Sequence, residues 1–435
     1  MKIVALIGLF IVFSVVTCER ITQPPISKAV VELVPEAVMV TEAWFSIKTE
    51  RPDAGLTVAL ERDGKEVLRL AGLKDTVVAD SGLQPGHGYT YRLRLYRSDK
   101  VVGPTPPVSI TTLDTTSNDI EWTVYEIPSP YGSGVLYDVA IVDENDIWAV
   151  GEIYSDSNQT WLPYNAVHWD GEKWELKKII VEYRGQSTIS PLESVLALQN
   201  GKIIFSSGLP YLPENEHWDI YHLWDMGILG KNDGSLNSIW GTSLNNLYFT
   251  GRKGTIVHYD GKQWHRIESG TDLAIQDIWG AKRQHSLPLI YAVASNPFHD
   301  NRVSVIGIQG NHAYPVSHRG LPGGMKGIWS WRGYTWYSCG NGLYRKEYSD
   351  SIWCEISDVP PIYKEAIRGS GPNNIFVVGH FGLVLHWNGS SWHQYEQFPG
   401  LFVALDVKED MVVAVGVHVT GIVVDGVVIL VGRRR

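Results

Sequence analysis

The sequence predicts an all-β protein, most of which is a β-propeller of about seven blades. The stretch from Ile239 to Trp264 shows one unit of the pattern. Short apolar pieces rich in Ile, Val, Tyr, Phe and Trp alternate there with turn residues. Asn245–Asn246 and Asp260–Gly261 supply the positive-φ residues that tight hairpin turns need. One unit is therefore a meander of about four antiparallel strands.

The same pattern recurs along the chain. Successive units follow at about 40 to 50 residues, the period of four-stranded blades around a propeller axis. No unit shows the apolar period of a helix, so a helical solenoid is excluded. Close copies run from Asp146 to Trp174 and from Asn373 to Trp392, and weaker copies begin near Leu192, Ile275, Gly327 and Phe402.

The fixed positions of these units resemble a known type of repeat. The pattern W-G-x-S-x-N-x-[VIL]-[YF]-x-x-G-x-x-G-x-[IV]-x-H-[YW]-[DN]-G-x-x-W resembles the propeller repeats of bacterial surface and secreted proteins. It is distantly similar to the Asp-box repeats of sialidase-like propellers, which have Ser or Thr where this chain has histidine. The residues that carry the pattern are Trp240, Gly241, Ser243, Gly251, Gly254, Gly379 and Gly382, the motif histidines His168, His258 and His386, the turn residues Asp170, Asp260 and Asn388 with Gly171, Gly261 and Gly389, and the motif tryptophans Trp174, Trp264 and Trp392.

We expect these motif residues to be structural. The motif tryptophans follow the turn at one fixed offset, as residues that pack between blades would. The motif histidines occur once per unit, and a radial arrangement cannot converge on one metal ion. The turn residues are expected to accept hydrogen bonds from their own turns.

The N-terminus predicts export and a lipid anchor. Met1 to Cys18 combines Lys2, an apolar run and Thr17–Cys18, and the run is too short to span a membrane. Val15–Cys18 resembles the lipobox of bacterial lipoproteins, which implies a lipidated Cys18 at the cell envelope, on the outer membrane or the cell surface. The formal net charge is −10 with no basic run before Arg433–Arg435, so no nucleic-acid partner is expected.

A second β domain precedes the propeller. After a tether over residues 19–27, residues 28–113 read as strands, and Leu83–Leu93 resembles the fibronectin type III signature. The resemblance implies a β-sandwich in which Tyr89 forms the tyrosine corner and Trp44 lies in the core. Residues 114–119 are then a linker, and residues 120–435 form the propeller.

Two details of the propeller can be predicted from the strand pattern. Glu121–Pro128 reads as an outer strand that closes the ring, but the C-terminal strand reads the same way, so the closing strand stays open. Cys339 and Cys354 fall on the second and fourth strands of one unit, about two strand spacings apart. Since a disulfide needs closer Cα atoms, we expect free, buried thiols.

The best binding-site candidates are long loops in the first two units. The segments Glu152–Tyr164, Val181–Pro191 and Leu209–Asp219 occupy second-to-third and fourth-to-first connections, which share one face of a propeller. Aromatic side chains on such loops suit stacking on sugar rings or a protein hot spot, although they could instead cover the blade tops. These candidates are Tyr154, Trp161, Tyr164, Tyr183, Tyr211, His217 and Trp218.

A second set lies at the axis. Equivalent positions on the innermost strands hold Trp240, Trp279, Trp329 and Arg368, and packing around the axis explains them adequately. No carboxylate pair, activated nucleophile or phosphate-binding glycine loop occurs at a specific spacing, so no catalytic residue, cofactor or metal is predicted.

The sequence therefore predicts a monomeric, non-enzymatic cell-envelope lipoprotein that binds a glycan or an envelope protein. Two alternatives remain open. One is a sialidase-like glycosidase or lyase, which would need at least two carboxyl groups in the axial pocket. The other is a scaffold for outer-membrane assembly that recognises partner strands through blade edges.

Overall fold

A computed structural model describes residues 31–215, 217–281, 289–297, 299–421 and 423–435. The expected signal peptide, Cys18 and the tether lie outside these residues. Among the described residues, no helix is both long and apolar enough to cross a membrane.

The chain divides into two compact units. The first contains the described residues of Met1–Val34 together with Ser46–Val77 and Tyr91–Val108. The second contains Pro35–Phe45, Val78–Thr90 and Ser109–Arg435. The domain limits expected from the sequence stay predictions.

Eight strands lie before residue 112, and they form two sheets. One sheet has the order β1-β2-β5; the other has the order β4-β3-β6-β7, with β8 also paired to β6. The strands are β1 (Val31–Val38), β2 (Glu42–Thr49), β3 (Asp53–Arg62), β4 (Lys65–Leu73), β5 (Thr76–Ser81), β6 (Gly88–Arg97), β7 (Lys100–Pro104) and β8 (Val108–Thr111).

Two side-chain contacts stabilise the part of the chain that contains strands β1–β8. The buried Glu61 on β3 lies 2.7 Å from the guanidinium groups of both Arg92 and Arg94 on β6, so its charge is compensated. The Tyr89 hydroxyl accepts a hydrogen bond of 2.9 Å from the backbone N–H of Gln84, five residues upstream. A tyrosine corner makes a contact of this kind.

Seven four-stranded antiparallel sheets make up most of the second unit, as far as the structure describes it. We number them in chain order: β10–β13, β16–β19, β20–β23, β24–β27, β28–β31, β32–β35, and β36–β38 with β9. Short 3₁₀ turns occur at Arg252–Gly254 and His380–Gly382, and β14 pairs with β15 in a separate hairpin.

The strand limits are as follows. They are β9 (Ile120–Pro128), β10 (Val135–Asp143), β11 (Asp146–Ile153), β12 (Tyr164–Trp169), β13 (Trp174–Lys177), β14 (Val181–Tyr183), β15 (Gln186–Thr188), β16 (Ser194–Ala197), β17 (Ile203–Ser206), β18 (Pro210–Glu214), β19 (His217–Ile220), β20 (Leu236–Ser243), β21 (Asn246–Gly251), β22 (Ile256–Tyr259), β23 (Trp264–Ile267), β24 (Ile275–Ala281), β25 (Leu289–Ser295), β26 (Val303–Gln309), β27 (His312–Val316), β28 (Met325–Trp331), β29 (Thr335–Gly340), β30 (Gly342–Glu347), β31 (Cys354–Glu355), β32 (Lys364–Gly371), β33 (Asn374–Gly379), β34 (Val384–Trp387), β35 (Trp392–Gln394), β36 (Leu401–Lys408), β37 (Met411–Thr420) and β38 (Val423–Arg434).

The seven sheets form a closed ring. The first strand of each sheet contacts the first strand of the next, and β36 contacts β10. Both ends of the unit contribute to the closure: β9 pairs with β38 over Ile120–Pro128 and Gly426–Arg434. Strand β9 is therefore the outer strand of the seventh sheet, and the C-terminal strand β38 is its third strand. This pairing resolves the question that the sequence left open.

Apolar side chains fill the space between successive sheets. At the closure, Val413 and Ile429 of the seventh sheet belong to one buried cluster with Ile147 and Val167 of the first. Burying one such side chain stabilises a fold by about 1.5–3 kcal/mol. The ring is thus held by its inter-sheet cores as well as by strand pairing.

The motif residues are structural, as expected. Each motif tryptophan contacts an aromatic ring that belongs to, or directly follows, the preceding sheet. The centroid distances are 6.0 Å for Trp174 to Tyr125, 5.3 Å for Trp264 to Tyr221 and 6.3 Å for Trp392 to Tyr337. Each turn residue accepts backbone hydrogen bonds of 2.8–2.9 Å from the second and third residues after it.

The motif histidines share one environment. Each stacks on the aromatic ring opposite it on the second strand, and its Nε2 meets the Asp or Asn two residues before that ring. The centroid distances are 4.2 Å for His168 on Trp148, 4.2 Å for His258 on Tyr248 and 4.4 Å for His386 on Phe376. The Nε2 partners are Asp146 at 2.9 Å, Asn246 at 3.1 Å and Asn374 at 3.0 Å.

Residues 114–119 are attached to the sixth sheet. The Asn118 carboxamide oxygen lies 2.7 Å from Nδ1 of His386, and the Thr116 N–H donates to the Asn388 carbonyl at 3.1 Å. In the third sheet, the Asn311 oxygen occupies the corresponding place 2.6 Å from Nδ1 of His258. The segment expected to be a linker thus provides the hydrogen-bond partner of Nδ1 of His386. In the third sheet, a residue of the neighbouring sheet provides the partner of His258.

The two described cysteines are free, as predicted, and they lie on β29 and β31. Cys339 is buried, but the expectation of burial was wrong for Cys354, which is exposed. The reason is that β31 has only two residues and is the outer strand of its sheet, so nothing covers it.

Candidate functional site

A pocket of about 400 Å³ lies at the axis of the ring. Side chains from all seven sheets line it, and most stand at or near the start of a first strand. Its polar and charged lining residues include Tyr137, Asp138, Glu193, Asn237, Arg252, Gln276, Asp277, Lys326, Glu365 and Arg368. Its volume is in the range of small-ligand and peptide-side-chain sites.

The pocket opens at the face that carries the second-to-third and fourth-to-first connections. The chain enters each first strand from a fourth-to-first connection, at the end where the lining residues stand. Arg252 belongs to a second-to-third connection and also lines the pocket. We call this end of the ring the loop face.

An ion pair forms the floor of the pocket. Arg368 donates from Nη1 to Oδ2 and from Nη2 to Oδ1 of Asp277, each at 2.8 Å. The guanidinium also lies 5.1 Å from the ring centre of Trp279. Both charged side chains are largely buried, so this two-point geometry is what compensates their desolvation.

Two further carboxylates, on the half-buried Asp138 and Asp406, are close enough to Arg368 to interact with its charge. Asp138 accepts N–H groups of Val139 at 2.9 Å and of Val195, on the next sheet, at 3.0 Å. Asp406 accepts the N–H of Ile141 in the same inter-sheet manner at 2.8 Å. Burial raises the pKa of Asp138 to about 7, against the opposing effect of these hydrogen bonds and of Arg368, and burial also raises the pKa of Asp406.

Tyrosine and glutamate side chains meet on the first sheet beside the pocket. Glu152 accepts a hydrogen bond of 2.7 Å from Tyr137 and one of 2.6 Å from Tyr154. Burial and the Glu152 carboxylate raise the pKa of Tyr137, so its phenol stays protonated at neutral pH. On the next sheet, burial raises the pKa of Glu193 while the charge of Arg252 opposes the rise.

Two short turns with the sequence pattern G-x-x-G shape the loop face. Gly251–Gly254 and Gly379–Gly382 have the same backbone path, and a Cβ on Gly254 or Gly382 would overlap the carbonyl oxygen of Thr271 or Phe398. The third residue of each turn is left-handed: Lys253 has φ 54° and Phe381 has φ 54°. This conformation is unusual for a bulky residue and suggests a functional position.

The second and third residues of these turns have different surroundings. Arg252 lines the pocket, and the corresponding His380 lies 2.9 Å from Glu365, which also lines it. Phe381 instead extends outward with 72% of its surface exposed. Lys253, its counterpart, is exposed as well and lines a separate surface groove.

The loop candidates from the sequence divide into two groups. One group is Tyr154, Trp161, Tyr164 and Tyr183, and the other is Tyr211, His217 and Trp218. Of the predicted loop Glu152–Tyr164, residues 154–163 lie between β11 and β12 and form a loop, on which Trp161 is 71% exposed. Tyr154 and Tyr164 are half-buried, with Lys178 4.8 Å from the Tyr164 ring centre. Tyr183 stacks on His222 at 4.8 Å and donates to Asp225.

The expectation that Leu209–Asp219 is a loop was wrong, because it contains most of strands β18 and β19 of the second sheet. Tyr211 is buried in that sheet, and Trp218 packs 5.0 Å from Phe205 while its indole N–H donates to Ile203. His217 is exposed at the edge, 3.2 Å from Asp219. The structure therefore does not bring these three side chains together with Trp161.

The four axial candidates occupy equivalent register positions. Trp240, Trp279, Trp329 and Arg368 each stand two residues after a bulge, opposite an aromatic residue of the second strand. Of the four, only Arg368 lines the pocket. Trp240 and Trp329 are buried, and the Trp279 indole donates to Ser330 at 3.1 Å.

Sequence reasoning did not select Arg252, Lys326, Glu193 or Phe381 as site residues. The G-x-x-G positions were recognised as part of the repeat, but the residues inside them differ between units and were therefore passed over. The lining residues at the starts of the first strands are of different amino-acid types. Only their corresponding positions in successive units could have indicated that they meet at the axis. Within the described residues, no group of three or more His, Cys, Asp or Glu side chains could hold a metal ion.

No family model matches the sequence, and no curated protein matches it. Solved structures do resemble the fold. The structure "YCF48 bound to D1 peptide" has a TM-score of 0.51 at 15% identity and covers 72% of this chain and 95% of its own. YCF48 from Cyanidioschyzon merolae gives 0.48 at 12% identity, with 72% and 98% covered. The Neurospora crassa Pan2 WD40 domain gives 0.47 at 13% identity, with 74% and 98% covered. The first similarity supports the propeller fold that the sheets form.

Proposed function

We propose that the protein is a binding or scaffold module of the cell envelope, in which a seven-bladed propeller takes a protein partner on its loop face. One observation carries the proposal: an axial pocket and exposed apolar side chains occupy the same face of the ring. Exposed aromatic side chains are enriched in protein interfaces, and tryptophan is a frequent hot-spot residue.

The exposed apolar side chains of the loop face come from several sheets. Trp161 and Phe381 are the most exposed of them, and both stand on second-to-third connections. Scattered apolar residues are normal on a surface, but aromatic anchors held on short turns are enriched at interfaces. The set is Tyr131, Tyr137, Trp161, Ile180, Met226, Phe381 and Val423.

The similar structure of YCF48 contains a bound D1 peptide, which supports a peptide segment as the ligand here. A glycan would suit Trp161, but the aromatic candidates on either side of it are half-buried or belong to the second sheet. The remaining parts of the proposal are a fibronectin type III-like module, supported by the Tyr89 contact with Gln84, and a lipid anchor at Cys18.

Site-specific photo-crosslinking in the native host tests the proposal. A photoreactive residue replaces Trp161 or Phe381 on the loop face, or Lys262 on a third-to-fourth turn of the opposite face. We expect one protein to crosslink from both loop-face positions and not from position 262. Equal crosslinking from both faces, or none from the loop face, would refute the proposal.

A second candidate function is a glycosidase or lyase, and the groups beside Arg252 favour it. Glu193 and the Tyr137–Glu152 pair could provide acid and nucleophile for a sugar substrate. The other carboxylates have structural roles, since Asp277 pairs with Arg368 and Asp138 binds two backbone N–H groups. Turnover of a fluorogenic glycoside panel that Glu193→Gln abolishes would favour the enzyme, whereas no turnover by the wild type would favour the binding module.

A further inference from the structure

The lining of the axial pocket is divided by charge. Arg252, Asn237, Gln276 and Lys326 come from the third, fourth and fifth sheets. That arc contributes two cations, and its only carboxylate at the pocket, Asp277, is already paired with Arg368. The other sheets contribute the carboxyl groups of Asp138, Glu193 and Glu365, together with Tyr137 and the paired Arg368.

Neither cation forms an ion pair within the described chain. Arg252 makes no side-chain hydrogen bond or ion pair there, although Glu193 is close enough to act on it electrostatically. Lys326 donates only to the neutral Gln276 oxygen, at 3.1 Å. Glu365, on the opposite arc, already pairs with His380 at 2.9 Å.

On the basis of the proposed function, we propose that the partner inserts an acidic side chain into this pocket. Arg252 and Lys326 receive its carboxylate. Charge complementarity supports this occupant, because Arg252 and Lys326 form no ion pair within the described chain. The apolar side chains of the loop face favour a peptide over an acidic oligosaccharide, since they can contact its neighbouring side chains.

Selection from a random dodecapeptide library on the full-length protein tests the inference without knowledge of the partner. We expect enriched peptides to carry Asp or Glu at one fixed position. Replacing that residue by Asn or Gln should weaken binding about tenfold or more, because a hydrogen-bonded charge pair is lost. Arg252→Gln and Lys326→Gln should each weaken binding of the acidic peptide to a similar degree, with unchanged thermal unfolding.

Lys253→Gln is the matched control, because this lysine is adjacent to Arg252 but does not line the pocket. Three outcomes would overturn the inference: enriched peptides without an acidic position, equal loss in Lys253→Gln, or binding of oligogalacturonate in place of every peptide. If crosslinking finds a partner on the loop face and Arg252→Gln and Lys326→Gln leave its affinity unchanged, this inference fails and the proposed function stands.

Discussion

Asp277 and Arg368 form a two-point ion pair across one intervening strand of the ring. The carboxylate of Asp277 also accepts the N–H groups of Ile278 and of Ile328, each at 2.9 Å. A single carboxylate on the fourth sheet therefore binds backbone on the fifth and a guanidinium on the sixth. The arrangement fixes the floor of the pocket on which the proposed function depends.

Removing the arginine should destabilise the ring strongly. We expect Arg368→Ala to lower the free energy of unfolding by about 3–5 kcal/mol, because Asp277 is left as a buried charge without its counter-ion. The control is Arg302→Ala, which breaks the exposed pairs with Asp272 and Asp300 and should leave the free energy of unfolding nearly unchanged. Denaturant unfolding measures the free energy of unfolding of both variants. Equal losses would show that the axial ion pair contributes no more to stability than the exposed pairs do.

Acid should destabilise the protein through His386. Burial, reinforced by the charge of Arg434, lowers the pKa of His386 to about 3. In the unfolded chain the pKa is about 6.5, so between these values only the unfolded state binds the proton. The contribution of this histidine to stability is therefore complete above pH 6.5 and is lost as the pH falls toward 3.

The measurement is the free energy of unfolding at pH 7 and pH 5 for the wild type and for His386→Gln. We expect the variant to lose less stability on acidification, by about 2 kcal/mol. His168→Gln, at the equivalent but more exposed position of the first sheet, is the control for the loss of a motif histidine. An identical pH dependence for wild type and His386→Gln would contradict the assignment.

Phe381 should serve binding at a cost in stability. Its left-handed backbone is unfavourable by about 1–2 kcal/mol for a residue of this kind, whereas asparagine tolerates it. We expect Phe381→Asn to retain or raise the unfolding temperature and to weaken partner binding. Lys253→Asn relieves the same backbone conformation and should leave binding intact, so a loss of binding in both variants would point to the turn rather than to the phenyl ring.

The two described thiols should differ in reactivity. Cys354 is exposed, whereas Cys339 is buried, and burial raises the pKa of the Cys339 thiol and disfavours the reactive thiolate. Alkylation under native conditions followed by peptide mapping should label Cys354 and leave Cys339 unmodified until the protein is unfolded. Equal labelling of both would indicate that the fifth sheet opens readily.

The lipid anchor is tested at Cys18. Replacing this cysteine with serine removes the acceptor of the acyl chains, so we expect the protein to leave the membrane fraction and no longer carry lipid by mass spectrometry. Thr17→Ala changes the neighbouring lipobox residue and should retain membrane association. Persistence of Cys18→Ser in the membrane fraction would rule out anchoring through this residue.

The repeat made much of the fold predictable. Strand-length pieces between turns such as Asp260–Gly261 define the sheets, and the fixed offset of Trp264 indicates how one sheet packs on the next. Local periodicity carries this information because each unit repeats the same contacts. The closing strand could not be assigned, since β9 and β38 have the same apolar pattern and only their mutual pairing separates their places.

The site was far less predictable. Leu209–Asp219 was predicted to be a loop, but Pro210 and Pro213 lie on a strand, and Tyr211 beside them faces the core. Arg252 and Lys326 are more than seventy positions apart in the sequence and meet only because two sheets place them at one axis. Long-range convergence of this kind leaves no local pattern for sequence reasoning to find.

The central claim is that the loop face binds a protein partner over the axial pocket. Crosslinking from position 381, compared with position 262 in the same preparation, tests it most directly. We predict that one partner is captured from position 381 and none from position 262, and that the same partner is captured from position 161. Capture of that partner from position 262 alone, or of no partner from position 381, would contradict the claim.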